Sequence, residues 1–116
     1  MRQKDFRSAT VESYPWGVIR WLHSSETGTQ SLTFGEMTIN PGSENRQHYH
    51  PNCEEILYLI SGEIEHQFEG AEPFVLKAGM SAQVPIGMKH HSKCTSVEPA
   101  RMLVAYSSAH HQVVEV

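Results

Sequence analysis

Apolar, β-branched and aromatic residues occur along this chain in short runs, and Gly or Pro breaks those runs at 15, 17, 28, 35, 41, 42, 51, 62, 70, 73, 79, 85, 87 and 99. Beyond position 15 no uninterrupted stretch keeps a helical period. The runs predict strands near 17–23, 31–39, 45–50, 54–61, 63–69, 73–77, 81–85, 89–95 and 100–107, with ends uncertain by a few residues. Ser61-Gly62 reads as a tight hairpin turn and Glu69-Gly70 as a second. Many short strands with frequent turns predict an all-β sandwich or barrel. Residues 1–15 are less defined and are expected to form an extended arm or a short helix.

The run 54–61 carries more detail. With Glu55 inward, Leu57 and Leu59 also point inward, and Ile56, Tyr58 and Ile60 point the other way. Both faces are then apolar, unlike a half-solvated antiparallel strand. The N-terminal arm, a second sheet or another subunit should cover the outer face, and a homodimer is the expectation.

Length and charge narrow the function. A chain of 116 residues suits one domain with a single core. Nine Lys and Arg stand against thirteen Asp and Glu, a formal net charge of -4, and the basic residues form no cluster. This argues against nucleic-acid binding and polybasic membrane attachment. The apolar run Ile56-Leu57-Tyr58-Leu59-Ile60 is far too short to span a membrane. No apolar signal core follows Met1-Arg2-Gln3-Lys4-Asp5, so a cytoplasmic protein is the simplest expectation. Cys53 and Cys94 form no CxxC pair and no disulfide framework.

Eight histidines are many for this length, but spacing is more informative than number. His48 and His50 alternate, so on a strand both imidazoles share one face. Glu54 or Glu55 can return a carboxylate on a neighbouring strand, and His90 or His91 can arrive from a distant hairpin. Three neutral nitrogens and a carboxylate suit a divalent first-row transition metal and leave coordination positions open. By contrast, His23 and the pair His110-His111 read as incidental polar residues. Trp16 and Trp21 read as core or interface aromatics, with substrate stacking as the other reading.

The residues around these histidines fall into two motifs. The first is Gly42, five residues, His48-Tyr49-His50, four residues, Glu55, six residues, Gly62. The second is Gly79, five residues, Pro85-Ile86-Gly87, two residues, His90. Together they resemble the two signature segments of the cupin superfamily, in its small, single-domain, quercetin-dioxygenase-like form. The resemblance implies a double-stranded β-helix, a jelly-roll barrel over 16–116 behind the arm 1–15, with a metal in the barrel mouth. Carried over residue by residue, it places the metal on His48, His50, Glu55 and His90. It thereby selects Glu55 over Glu54 and, with strand parity, His90 over His91. One position departs from the pattern: the second motif usually closes on Asn, where this chain has Cys94. Inward His90 also puts Ser92 and Cys94 on the pocket side.

These features imply a divalent transition metal (Mn, Fe, Ni, Cu or Zn) and a small oxygenated metabolite chelated to it. The expected activity is of dioxygenase or isomerase/lyase type, with Glu55 able to act as a general base. The alternative is a non-catalytic module that binds a sugar or other small ligand. A second proton-transfer group would favour catalysis. The sequence offers Arg46, Ser92, Cys94, and Tyr106 or Arg101.

Overall fold

Buried and exposed residues alternate along most of the strands, so each presents one face to the interior. The computed structural model describes residues 2–116. Its strands are β1 (Thr10–Tyr14), β2 (Gly17–His23), β3 (Thr33–Ile39), β4 (His48–Tyr49), β5 (Glu55–Ser61), β6 (Glu63–Phe68), β7 (Phe74–Lys77), β8 (Ser81–Val84), β9 (His90–Cys94), β10 (Ala100–Tyr106) and β11 (Val114–Glu115). A 3-10 turn, Ser25–Thr27, interrupts them. Among the described residues no helix is long and apolar enough to cross a membrane.

Two antiparallel sheets face each other, in the order β1-β2-β3-β10-β5-β8 and β11-β4-β9-β6-β7. This is an all-β jelly-roll barrel. Its lower interior is packed by Ile39, Leu59, Ile64, Met102 and Val104, contributed by both sheets. Each such side chain contributes roughly 1.5–3 kcal/mol of transfer free energy. The upper interior is lined instead by histidines, a glutamate and aromatic rings.

Most expected strands occur within one or two residues of their predicted ends, and three local expectations change or narrow. Ser61-Gly62 is a corner rather than a hairpin, because β5 pairs with β10 and β8 while β6 pairs with β7 and β9. Gly62 has φ +80°, and a Cβ there would lie 2.8 Å from the Ala100 Cα, so only glycine turns this corner without strain. Glu69-Gly70 does sit in the β6–β7 hairpin connection. The expected strand 45–50 narrows to β4, because Asn45 binds the β9 backbone at Ser92 through both its backbone and its side chain. Finally, of the extended arm or short helix expected over 1–15, Thr10–Tyr14 takes the extended form, as a strand paired along β2.

On the outer face of β5, Ile56, Tyr58 and Ile60 are exposed, as their parity predicts.

Candidate metal centre

The two sheets place the four expected ligand residues at one point. His48 on β4 lies opposite His90 on β9, within the same sheet. His50 follows β4 in the chain. Glu55 opens β5 in the facing sheet, paired with Tyr106 of β10. The carboxylate therefore meets the histidines across the barrel, not from a neighbouring strand as expected. One coordinating atom from each of these four buried residues lies within 4.8 Å of all the others. Glu55 Oε1 is 3.4 Å from His50 Nε2 and 3.5 Å from His90 Nε2.

Hydrogen bonds orient the rings. His48 Nδ1 donates to the Arg46 carbonyl at 2.7 Å, and His50 Nδ1 to the Gln112 carbonyl at 2.9 Å. His90 Nδ1 lies 3.2 Å from His66 Nε2, and His66 Nδ1 lies 2.7 Å from the Ser92 hydroxyl. Of the two proton orders this chain allows, the one that leaves His90 Nε2 bare has His90 donating to His66 and His66 donating to Ser92. Each of the three rings then turns an unprotonated Nε2 to the common point, as metal-binding histidines do when their other nitrogen is held by an acceptor. The Pro85-Ile86-Gly87 bend is tied to the same place, since the Gly87 N–H donates to the His50 carbonyl at 3.0 Å.

Protonation favours the same arrangement. Burial pushes His90 down to about 3 and His66 to about 4, and it also lowers His48. Burial alone would raise Glu55, but the His50 contact and the surrounding imidazoles outweigh it and hold the carboxyl below its usual range. His48, His66 and His90 are thus neutral imidazoles beside an ionised carboxylate. Yet His50 Nε2, Glu55 Oε1 and His90 Nε2 are buried without a hydrogen-bond partner. Orphaned polar atoms cost free energy, and a buried unpaired carboxylate costs most. A divalent cation at their meeting point removes that cost, so the donor set fits a divalent transition metal.

The remaining candidates separate cleanly. His91 points away and lies 3.8 Å from Glu44, and Glu54 is exposed. Cys53 is buried in the core, and burial raises its thiol. Cys94 is inward but sits low in the core, its Sγ 3.4 Å from the Glu98 carbonyl, so it is not a soft group beside the pocket. Ser92 is engaged by His66. Arg101 faces outward to Glu36 at 2.8 Å, because it has the opposite parity to Tyr106. Tyr106 is inward and buried, and burial together with the Glu55 charge pushes its hydroxyl well above the usual range. It therefore serves as a hydrogen-bond donor rather than a base.

Two residues emerge that the sequence did not single out for the site. His66 could have been found from the inward parity of β6, where it lies between Ile64 and Phe68. His111, read as incidental, stacks on Tyr106 with centroids 4.4 Å apart and lines the cavity above the cluster. Only the return of the C-terminal segment across the mouth places it there: β11 pairs with β4, and the Gln112 N–H donates to the Asn52 side chain. Trp16 and Trp21 line the same cavity, which measures about 360 Å³.

Known proteins agree with this construction. The family profile described as "Cupin domain" matches residues 35–106. "Polyketide synthase CurC" of Streptomyces cyaneus is 36% identical over 88 residues, which cover 75% of this chain and 56% of that one. "Oxalate decarboxylase OxdC" of Bacillus subtilis is 31% identical over 92 residues, covering 76% of this chain and 24% of that protein. A Bacillus subtilis oxalate decarboxylase structure, described for its Mn(II) centres, superimposes with TM-score 0.86 at 22% identity, covering 96% of this chain and 31% of that one. The chain thus spans little more than half of the first relative and a smaller part of the decarboxylases. Two sheets, one convergent His/Glu cluster and a matching profile over most of the barrel lead to one conclusion: the chain belongs to the cupin family.

Proposed function

We propose that this cupin is a metal-dependent enzyme of dioxygenase or isomerase/lyase type, acting on a small oxygenated metabolite held at His48, His50, Glu55 and His90. The observation that carries this reading is the set of three buried, partnerless coordinating atoms, one of them on an ionised carboxylate, beneath an open cavity. A bound divalent transition metal would supply Lewis acidity or, with a redox-active ion, oxygen activation.

The chain's own groups divide the rest of the work. Glu55, ionised in its pocket, is the group able to take a proton from a substrate hydroxyl at Oε1. Tyr106 stays protonated and donates a hydrogen bond. His111, lowered by burial, is neutral at pH 7 and offers one donor and one acceptor nitrogen above the cluster. These two provide the second polar partner that turnover requires. The relatives' names suggest oxygen-rich substrates, a polyketide in one case and oxalate in the other. The exposed apolar face of β5 supports assembly as a homodimer.

Metal content after purification without a His tag tests the proposal. About one equivalent of a transition metal supports it. Less than about a tenth of an equivalent, with no uptake on reconstitution, overturns it. Oxygen uptake or isomerisation with added enediols and flavonols then separates turnover from binding alone.

A further inference from the structure

The segment that follows β10 leaves it from a firm root. Ser107 exchanges hydrogen bonds with the Glu54 backbone. The Thr33 hydroxyl donates to the Ser108 carbonyl at 2.6 Å, and the carbonyl of buried Ala109 accepts from the Ser25 N–H at 3.1 Å. Beyond Ala109 the anchoring changes character. Residues 110–116 bury no side chain fully: Val113, Val114 and Val116 are exposed, and His111 is half-buried over Tyr106. Polar contacts hold this strap instead. The Val116 N–H donates to the Gln47 carbonyl at 3.0 Å, Glu115 pairs with exposed Arg46, and Gln112 is gripped from below. A segment fixed by exposed hydrogen bonds rather than by apolar burial opens at low free-energy cost.

Gln112 is where the strap meets the metal centre. Its N–H donates to Asn52 Oδ1 at 2.9 Å, and its carbonyl accepts from His50 Nδ1 at 2.9 Å. Both main-chain groups of Gln112 are therefore taken by side chains of one turn, His50 and Asn52. The Asn52 amide also donates to the His110 carbonyl at 2.9 Å and lies 3.5 Å from the Ser108 hydroxyl. The turn itself is stiff. Pro51 fixes φ between the two gripping residues, and the Gly87 N–H holds the His50 carbonyl at 3.0 Å.

Resting on the metal-centre reading, we infer that Asn52 is a positioning residue for the metal, acting through the strap 110–116. Asn52 clamps Gln112, Gln112 holds the His50 ring, and metal binding and strap closure are one coupled event. An imidazole that gives Nε2 to a cation becomes a stronger donor at Nδ1, as charge-assisted donors are. Filling the centre therefore tightens His50 onto the Gln112 carbonyl, and by reciprocity a closed strap tightens the metal. His111 and Val113 flank Gln112 and line the cavity, so the same coupling sets how open the mouth is.

Amide exchange of the full chain with and without Zn(II), read by mass spectrometry, tests this together with zinc affinity from chelator competition. Zinc should slow exchange over 110–116 by about tenfold or more. Asn52→Ala should return that exchange to near the metal-free rate with zinc still bound, and should weaken zinc by about tenfold. The loss of affinity should not exceed the factor by which zinc slows exchange in the wild type, because the coupling is the same in both directions. Asn52→Asp keeps an oxygen acceptor for the Gln112 N–H and should recover part of both effects. Exchange over 110–116 that ignores zinc, or wild-type zinc affinity in Asn52→Ala, overturns the inference while one equivalent of bound zinc leaves the metal reading standing. The first of these outcomes needs no variant. Failure of the wild type to take up zinc overturns the metal reading itself, and the inference with it.

Discussion

At the scale of single residues, adjacent side chains of similar chemistry have opposite fates. His90 and His91 differ by one position, yet one ring is in the cluster and the other lies beside an exposed glutamate. His50→Ala should therefore lose most bound metal and His91→Ala should keep it, as read by elemental analysis. Equal loss in both variants would contradict the parity that separates them. The same neutral burial has a pH consequence. His66 at about 4 and His90 at about 3 lie below their ordinary value of 6.5, so the unfolded chain binds more protons in that window. Stability of the metal-free protein is full above pH 6.5 and is lost as pH falls through the window toward 3. The loss by pH 4.5 from the two histidines together should be on the order of 5 kcal/mol, measured by urea unfolding. A flat profile between pH 7 and 4.5 would contradict it.

Between elements, the cluster depends on strands that carry no ligand. His66, on β6, holds the Nδ1 of His90 on β9 and is itself anchored by Ser92. His66→Phe removes that acceptor and should lower metal affinity by about 10- to 100-fold in a chelator competition, with Gln at the same position recovering part of it. Unchanged affinity in the Phe variant would show that packing alone orients His90. The C-terminal segment has a similar role. The Gln112 carbonyl holds the His50 ring, and β11 closes against β4 at the mouth. Neither support belongs to the two sequence motifs, because both arise from segments distant in the chain that meet only when the barrel closes.

For the whole molecule, the outer face of β5 is the clearest unfinished surface. Ile56, Tyr58 and Ile60 are 49%, 44% and 37% exposed, and Ala105 lies beside Ile56 in the β10–β5 register. A dimer built on this face would bury roughly 800 Å² per partner. Light scattering at micromolar concentration should give twice the chain mass, and Ile56→Asp should halve it. A wild-type monomer would remove the dimer.

How much of this was legible beforehand follows from the range of each interaction. The strand pattern, the parity of Glu55 and His90, and the spacing of Gly42, His48, His50, Gly62, Pro85 and Gly87 are local, and turn chemistry with period-two alternation writes them into the chain. Those features specified an all-β sandwich or barrel, and through their resemblance to the cupin motifs they implied the jelly roll, favoured Glu55 over Glu54 and grouped the four residues of the cluster. Tertiary structure alone decided that Glu55 faces the histidines from the opposite sheet, that Ser61-Gly62 is a corner, and that Cys94 belongs to the core. It also decided that His66, His111 and Trp21 belong to the site. Contacts between distant segments set those positions, and no local periodicity records which segment will lie across the mouth of a barrel once it has closed.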